Sequence, residues 1–154
     1  MPELGGLAPD FTLPDQDRRP VTLSDELKNG PVILAFVPAA FSDTCTKEVC
    51  TLRDGLSALN RAPARILAVS VDSFFALKAW ADAQHFEFPL LSDFNRNVIR
   101  QYGVVLDDMI GLKEVAKRSV FVIDRQGMVR YREVLDDARN EPDYAAVMRV
   151  AASL

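Results

Sequence analysis

Two cysteines, Cys45 and Cys50, carry the most reactive side chains of this sequence, and four residues lie between them. A disulfide that closes so short a loop adds little stability, because the stabilisation shrinks with loop length. The chain of 154 residues is also long enough to fold without such a link. Cysteines this close together, in a chain that shows no export signal, are more often catalytic or metal-binding than structural. A zinc site needs more ligands than two thiols and the single imidazole of His85, so we expect neither a metal nor another cofactor.

The elements around Cys45 place it at the predicted start of a helix. Val32–Val37 is apolar at every position, as expected of a central strand that helices cover on both faces. Pro38 ends this strand, and apolar residues then recur at helical spacing from about Ser42 to Leu59. The first turn of a helix stabilises a thiolate through its free backbone N–H groups and the helix dipole. Cys45 is therefore the predicted nucleophile; the alternative is that it is a small buried hydrophobic residue.

The remaining sequence predicts strands and helices in alternation. They are an opening extended pair at Pro9–Pro14 and Val21–Leu23, a helical turn at Ser24–Asn29, a strand at Ile66–Val71, a helix at Phe74–His85 capped by Asp72 or Ser73, a short strand at Phe88–Leu91, a helix near Asn95–Tyr102, a hairpin of Val120–Ile123 and Met128–Glu133, and a helix at Asp143–Ala152. This order predicts an α/β, thioredoxin-like fold, with a central mixed sheet flanked by helices and an N-terminal hairpin extension. We expect a single domain over residues 1–154.

Four segments of the chain stand out, at Pro9–Asp15, Pro38–Cys45, Phe88–Asp93 and Lys117–Asp124. Together they resemble the peroxiredoxin family, and they occur in the family's order. Pro38–Cys45 reads PAAFSDTC and matches the signature Pro-x-x-x-Thr/Ser-x-x-Cys, with Ser42 where Thr is commoner. Pro9–Asp15 is similar to the family's opening, Phe88–Asp93 to its central FPLLSD stretch, and Lys117–Asp124 to the strand that carries its active-site arginine. The resemblance covers about residues 5 to 135 and implies a thiol-dependent peroxidase that reduces hydrogen peroxide or organic hydroperoxides.

The resemblance also implies a role for each residue of the site. Cys45 is the peroxidatic cysteine, Pro38 shields it, Ser42 positions the peroxide, and Arg118 supplies positive charge that stabilises both the thiolate and the departing oxygen. The residues themselves also favour a role for Arg118, because an arginine that enters an apolar strand must find a partner. Glu48, one helical turn after Cys45, is a weaker candidate that would orient the arginine. The alternatives are a helix cap for Ser42, an exposed strand end for Arg118 and a solvated helix face for Glu48.

Cys50 is the candidate resolving cysteine. Its Cys-x-x-x-x-Cys spacing from Cys45 resembles the bacterioferritin-comigratory, or Q, type of peroxiredoxin, whereas the FPLLSD run equally resembles the alkyl hydroperoxide reductase E type. On an intact helix the Cα atoms of residues at this spacing are ~8.7 Å apart. A disulfide tolerates at most roughly 7 Å. We therefore expect the first turns of the helix to unwind when the bond forms, and a buried helix residue is the alternative for Cys50. Re-reduction is expected from thioredoxin or a glutaredoxin-like dithiol.

Composition narrows the other partners and the location. The formal net charge of −4 and the absence of a run of basic residues argue against nucleic acid as a partner. No apolar stretch approaches the ~20 residues that cross a bilayer. Met1–Pro9 lacks the basic and apolar parts of an export signal, which favours a cytoplasmic protein. The resemblance leaves both a monomer and a homodimer open.

Two other classes of function compete with a peroxidase. A thioredoxin-like disulfide reductase or a redox-sensing binding module would keep the fold, but a reductase is expected to carry Cys-x-x-Cys, and the matching stretch here is Ser42-Asp43-Thr44-Cys45. A Cys–His hydrolase would need His85 as its base, and this residue is more typical of a helix edge. The pairs Asp107-Asp108 and Asp136-Asp137 are interpreted as solvated loops. Phe74, Phe75 and Trp80 are interpreted as core residues, and a peroxide entrance is the alternative role for them.

Overall fold

The computed structural model of the chain describes residues 1–58 and 64–154. Its strands are β1 Thr12–Pro14, β2 Pro20–Thr22, β3 Val32–Phe36, β4 Arg65–Ser70, β5 Leu90–Ser92, β6 Val105–Met109, β7 Leu112–Ala116, β8 Ser119–Ile123 and β9 Val129–Val134. Its helices are α1 Leu23–Glu26, α2 Asp43–Ala58, α3 Phe74–Gln84, α4 Asn97–Gln101 and α5 Tyr144–Ala152. The predicted end of α2 at Leu59 lies outside the described residues.

A five-stranded mixed sheet in the order β5-β4-β3-β8-β9 forms the centre of the fold. β3 pairs with β4 in parallel and with β8 antiparallel. The unit β3-α2-β4 therefore lies beside the antiparallel hairpin of β8 and β9. β1 and β2 form the predicted N-terminal hairpin. The thioredoxin-like α/β fold with this extension is confirmed.

Side chains of β3 alternate between two cores, because successive residues of a strand point to opposite faces. Val32, Leu34 and Phe36 pack with residues of the opening hairpin, α1 and α4. Ile33 and Ala35 face the other side, where the sheet is covered by α2 and α5. All five residues are fully buried, which explains the uninterrupted apolar run.

Two sequence predictions about this fold are wrong. Asp107-Asp108 was interpreted as a loop, but both residues lie in β6, which forms an isolated antiparallel hairpin with β7. Both aspartates are exposed, so this strand lacks the alternating apolar pattern that identifies a half-buried strand. Phe75 was assigned to the core, but it is 71% exposed.

No helix within residues 1–58 and 64–154 combines the length and the apolar character that a membrane span requires.

Candidate active site

Cys45 lies in the first turn of α2 and is fully buried. Ser42 precedes the helix, and its Oγ accepts a hydrogen bond from the Cys45 backbone N–H at 3.3 Å. The Ser42 carbonyl also accepts the N–H of Thr46 at 2.9 Å. Ser42 is therefore the N-cap of α2 by geometry, and its own hydroxyl hydrogen stays available to a second acceptor. Pro38 is buried two residues after the end of β3, at the start of this loop.

The pairing of β3 with β8 brings Arg118 to Cys45. Phe36 at the end of β3 pairs with Ser119 at the start of β8, so Arg118 lies at the same end of the sheet as the loop that leads to α2. The guanidinium Nη1 of Arg118 donates to the Cys45 Sγ at 3.4 Å. Arg118 is only 2% exposed, which excludes the alternative of an exposed strand end.

Glu48 is buried beside the arginine and is not part of a solvated helix face. Cys45 and Glu48 are three residues apart on α2 and so lie on one side of the helix. The Glu48 Oε2 accepts from Nη1 of Arg118 at 2.6 Å, and Nη1 therefore bridges the carboxylate and the thiol. Within the described part of the chain, Glu48 Oε1 is buried and has no hydrogen-bond partner.

Burial and charge act in opposite directions on this pair. Burial raises the pKa of the Glu48 carboxyl to about 7, although the Arg118 charge and its hydrogen bond oppose the rise. Burial alone would lower the pKa of the Arg118 guanidinium, but Cys45 and Glu48 together raise it above its ordinary value. Arg118 thus stays charged, and the Glu48 carboxyl keeps its proton to a higher pH than an exposed glutamate does because burial raises its pKa.

A backbone carbonyl completes the environment of Arg118. The Ala138 oxygen accepts from Nε at 3.2 Å and from Nη2 at 2.8 Å, and Ala138 lies in the loop between β9 and α5. Lys47 of α2 and Tyr144 of α5 both contact Glu141 of the same loop, at 2.9 and 2.7 Å. This loop therefore contacts both the arginine and α2. The role of Ala138 could not be predicted from the sequence, because a backbone carbonyl is the same for every residue type.

Two side chains of the β4–α3 region also contact the active-site segment. The Asp72 Oδ2 accepts the backbone N–H of Ala40 at 2.7 Å, while Ser73 alone caps α3 by accepting the Ala76 N–H at 3.2 Å. Trp80 is fully buried and donates its indole N–H to the Thr46 Oγ1 at 3.1 Å.

Cys50 lies on the same continuous helix as Cys45, and both are free thiols. Its Sγ is partly buried, 3.9 Å from Gln84 Oε1 at the end of α3. The intact helix keeps the two Cα atoms ~8.7 Å apart by its regular geometry. The two sulfurs are therefore not placed for a disulfide while α2 is folded.

His85 lies at the exposed end of α3. It is exposed and forms the left-handed C-cap of α3, with φ of 58°. Among the described residues, no group of three or more histidine, cysteine, aspartate or glutamate side chains could hold a metal ion. The geometry thus concentrates the chemistry on one buried thiol, one guanidinium and the capped start of a helix.

Known proteins share this sequence and this architecture. Residues 4–132 match the model of the AhpC/TSA family. Alkyl hydroperoxide reductase E of Mycobacterium bovis is 40% identical over 136 residues, covering 87% of this chain and 86% of that protein. Chloroplastic peroxiredoxin Q of Triticum aestivum is 37% identical, covering 82% of this chain and 57% of that protein. The crystal structure of peroxidoxin BcpB from Mycobacterium tuberculosis superimposes with a TM-score of 0.88 at 32% identity, covering 100% of this chain and 99% of that chain. These relatives include both types that the motifs resemble, alkyl hydroperoxide reductase E and peroxiredoxin Q. The chain belongs to the AhpC/TSA family.

Proposed function

We propose that the chain is a thiol-dependent peroxidase and that Cys45 is its peroxidatic residue. The observation that carries the proposal is the 3.4 Å contact between the Arg118 Nη1 and the Cys45 Sγ, with both residues buried. A thiolate is the nucleophilic form of cysteine, and an adjacent cation at a helix start favours it. Relatives named alkyl hydroperoxide reductase E and peroxiredoxin Q support peroxides as the substrate class.

In the first step the Cys45 thiolate attacks the terminal oxygen of a hydroperoxide. The O–O bond breaks as the S–O bond forms, the sulfur is oxidised to a sulfenic acid, and the departing oxygen takes a proton and leaves as water or an alcohol. Negative charge moves from sulfur to the departing oxygen, so a fixed guanidinium next to both stabilises the transition state. Arg118 supplies this charge, the Ser42 hydroxyl positions the peroxide, and Pro38 shields the thiolate.

In the second step the Cys50 thiol condenses with the Cys45 sulfenic acid. An S–S bond forms and water leaves, so no further oxidant is needed. Because α2 holds the two residues too far apart, its first turns must unwind before the bond can close. We propose a folded reduced form and a locally unfolded disulfide form.

A dithiol reductant then returns both cysteines to thiols. Thioredoxin or a glutaredoxin-like protein fits this step, because thiol–disulfide exchange passes two electrons to the protein disulfide without another cofactor. A reducing cytoplasm is the location that we propose for this cycle. The whole chain, residues 1–154, acts as one domain in this proposal, as a monomer or a homodimer.

The test is peroxide consumption with thioredoxin, thioredoxin reductase and NADPH. Wild-type protein is expected to turn over, and Cys45→Ser is expected to be inactive. Cys50→Ser is the matched control, since it should still consume one equivalent of peroxide in a single turnover but lose the intramolecular disulfide. A Cys45→Ser variant that consumes peroxide at the wild-type rate would end the proposal. A stable Cys45 sulfenic acid beside a free Cys50 thiol in the wild type would reject resolution within the chain.

A further inference from the structure

Asp72 ties the end of β4 to the loop that carries the active-site signature. Its Oδ2 accepts two hydrogen bonds, from the Ala40 backbone N–H at 2.7 Å and from the Ser70 Oγ at 2.8 Å. The Asp72 backbone is itself fixed, because its N–H donates to Ser70 Oγ at 3.2 Å and its carbonyl accepts from Ser92 Oγ at 2.7 Å. Ser70 and Ser92 are the last residues of β4 and β5, so the carboxylate is anchored on two strands of the central sheet.

The loop that Asp72 holds is under backbone strain. Phe41, next to Ala40, has φ of 67°, a left-handed conformation that is unfavourable for a side chain with a Cβ. Such strained residues persist only where surrounding contacts hold them in place. The short bond between Asp72 and the Ala40 N–H is a contact of this kind, one residue before the strained position.

The strained residue leads directly to Ser42. The Ser42 Oγ lies 3.3 Å from the Cys45 N–H and caps α2. In the proposed function its hydroxyl also has to point to the reacting oxygen. A loop released at Ala40 is free to rotate at Phe41 and so to move Ser42 away from this position. The Asp72 carboxylate therefore acts on the peroxide site through the backbone, without contact to the reacting atoms.

We propose that Asp72 is a positioning residue for the peroxidase reaction, whose carboxylate holds the segment from Ala40 to Ser42 in the conformation that orients the peroxide. This inference rests on the proposed peroxidase function. Asp72 and Arg118 would then control different properties of the site. The hydrogen bonds of Arg118 go to Cys45, Glu48 and Ala138, and none goes to Asp72. The stabilisation of the thiolate and the orientation of the peroxide thus depend on different contacts.

The test compares Asp72→Ala, Asp72→Asn and Ser70→Ala with the wild type in two reactions of Cys45. One is the second-order reaction with hydrogen peroxide by stopped flow, which requires an oriented substrate. The other is alkylation by iodoacetamide as a function of pH, which reports the thiolate and needs no peroxide site. Asp82→Ala is the control, because it removes an exposed carboxylate of α3 that contacts Lys78 at 3.4 Å.

Asp72→Ala is expected to react with peroxide about 10- to 100-fold more slowly, since small misplacements of reacting groups have effects of this size. Its alkylation curve is expected to keep the wild-type midpoint. Asn retains an oxygen that can accept from both the Ala40 N–H and the Ser70 hydroxyl, so Asp72→Asn is expected to recover most of the rate. Ser70→Ala removes one hydrogen bond to the carboxylate and should lower the peroxide rate less than Asp72→Ala does. It provides a second measurement if Asp72→Ala does not fold.

Three results would overturn the inference while leaving the peroxidase function intact. They are a wild-type peroxide rate in both Asp72→Ala and Ser70→Ala, an equal loss in Asp72→Asn and Asp72→Ala, and a parallel loss of peroxide and iodoacetamide reactivity. The last result would mean a general structural role. Failure of the proposed function has a different signature, because the wild type itself would then react with peroxide no faster than an unassisted thiol.

Discussion

Replacement of Glu48 by glutamine is expected to change how the stability of the protein depends on pH. The carboxyl is fully buried against Arg118, and glutamine keeps its shape and its acceptor oxygen but cannot ionise. In the unfolded chain the Glu48 carboxyl ionises near its ordinary pKa of 4.5, whereas in the folded protein burial raises this pKa to about 7. Between these two pH values the folded state therefore holds a proton that the unfolded state has lost.

The direction and size of the effect follow from proton linkage. Stability falls with rising pH wherever the folded state binds more protons than the unfolded state. The contribution of Glu48 is therefore complete below pH 4.5 and is lost as the pH rises to about 7, after which it stays constant. At ~1.4 kcal/mol for each pKa unit, the total loss is about 3 kcal/mol.

The measurement is the difference in free energy of unfolding between the two proteins across this pH range, from urea denaturation. Both proteins carry Cys45→Ser, so the neighbouring thiol does not titrate. Carboxyl groups that do not interact with Glu48 contribute equally to both proteins and cancel in the difference. We expect the protein with Glu48 to lose about 3 kcal/mol relative to Glu48→Gln as the pH rises from 4.5 to about 7.

Glu87→Gln is the matched control, because it makes the same substitution at an exposed position. A constant difference for Glu48→Gln would contradict the reasoning, as would one in which the protein with Glu48 gains stability with rising pH. A constant difference would mean that the Arg118 charge balances the burial of the carboxyl, and a gain with rising pH would mean that the charge outweighs it.

Three further outcomes are expected. Arg118→Met should slow the reaction of Cys45 with hydrogen peroxide by roughly 100- to 1,000-fold in stopped-flow measurements, the usual effect of removing one transition-state donor, and an unchanged rate would refute its role. Ser42→Ala should lose about 10-fold in the same assay while Ser42→Thr retains most of the rate, so equal rates for the two variants would argue against a role for the hydroxyl. Formation of the Cys45–Cys50 disulfide should increase hydrogen exchange in the first turns of α2, and undiminished protection there with the bond present would contradict unwinding.

The residues that could be predicted from the sequence are those whose chemistry conflicts with their surroundings. Arg118 enters an apolar strand, and such a charge needs a buried partner. Cys45 follows a buried strand at the start of a helix, where a thiolate is stabilised. Glu48 is the weaker candidate in the sequence because an acidic residue on a helix is usually solvated, and its burial against Arg118 is seen only in the folded structure.

The missed features depend on neighbours that are distant in sequence or on backbone atoms. The sequence predicts Asp72 as a possible helix cap, but its carboxylate accepts a hydrogen bond from Ala40, which lies in a loop 32 residues earlier in the chain. The Ala138 carbonyl that holds Arg118 leaves no mark in the sequence. The β6–β7 hairpin was missed because exposed, charged residues occupy the strand, so no alternation of apolar and polar residues identifies it.

The order of the site residues along the chain has a consequence for protein synthesis. Arg118 lies 73 residues after Cys45, and the carbonyl that holds the guanidinium lies another 20 residues on. A growing chain therefore exposes its thiol well before the cation and its support leave the ribosome. We expect stalled nascent chains that end before β8 to react with peroxide like an unassisted cysteine, and released full-length chains to react much faster; equal rates would refute this. The thiol would thus stay no more reactive than an ordinary cysteine until the segment that carries Arg118 and Ala138 has been made.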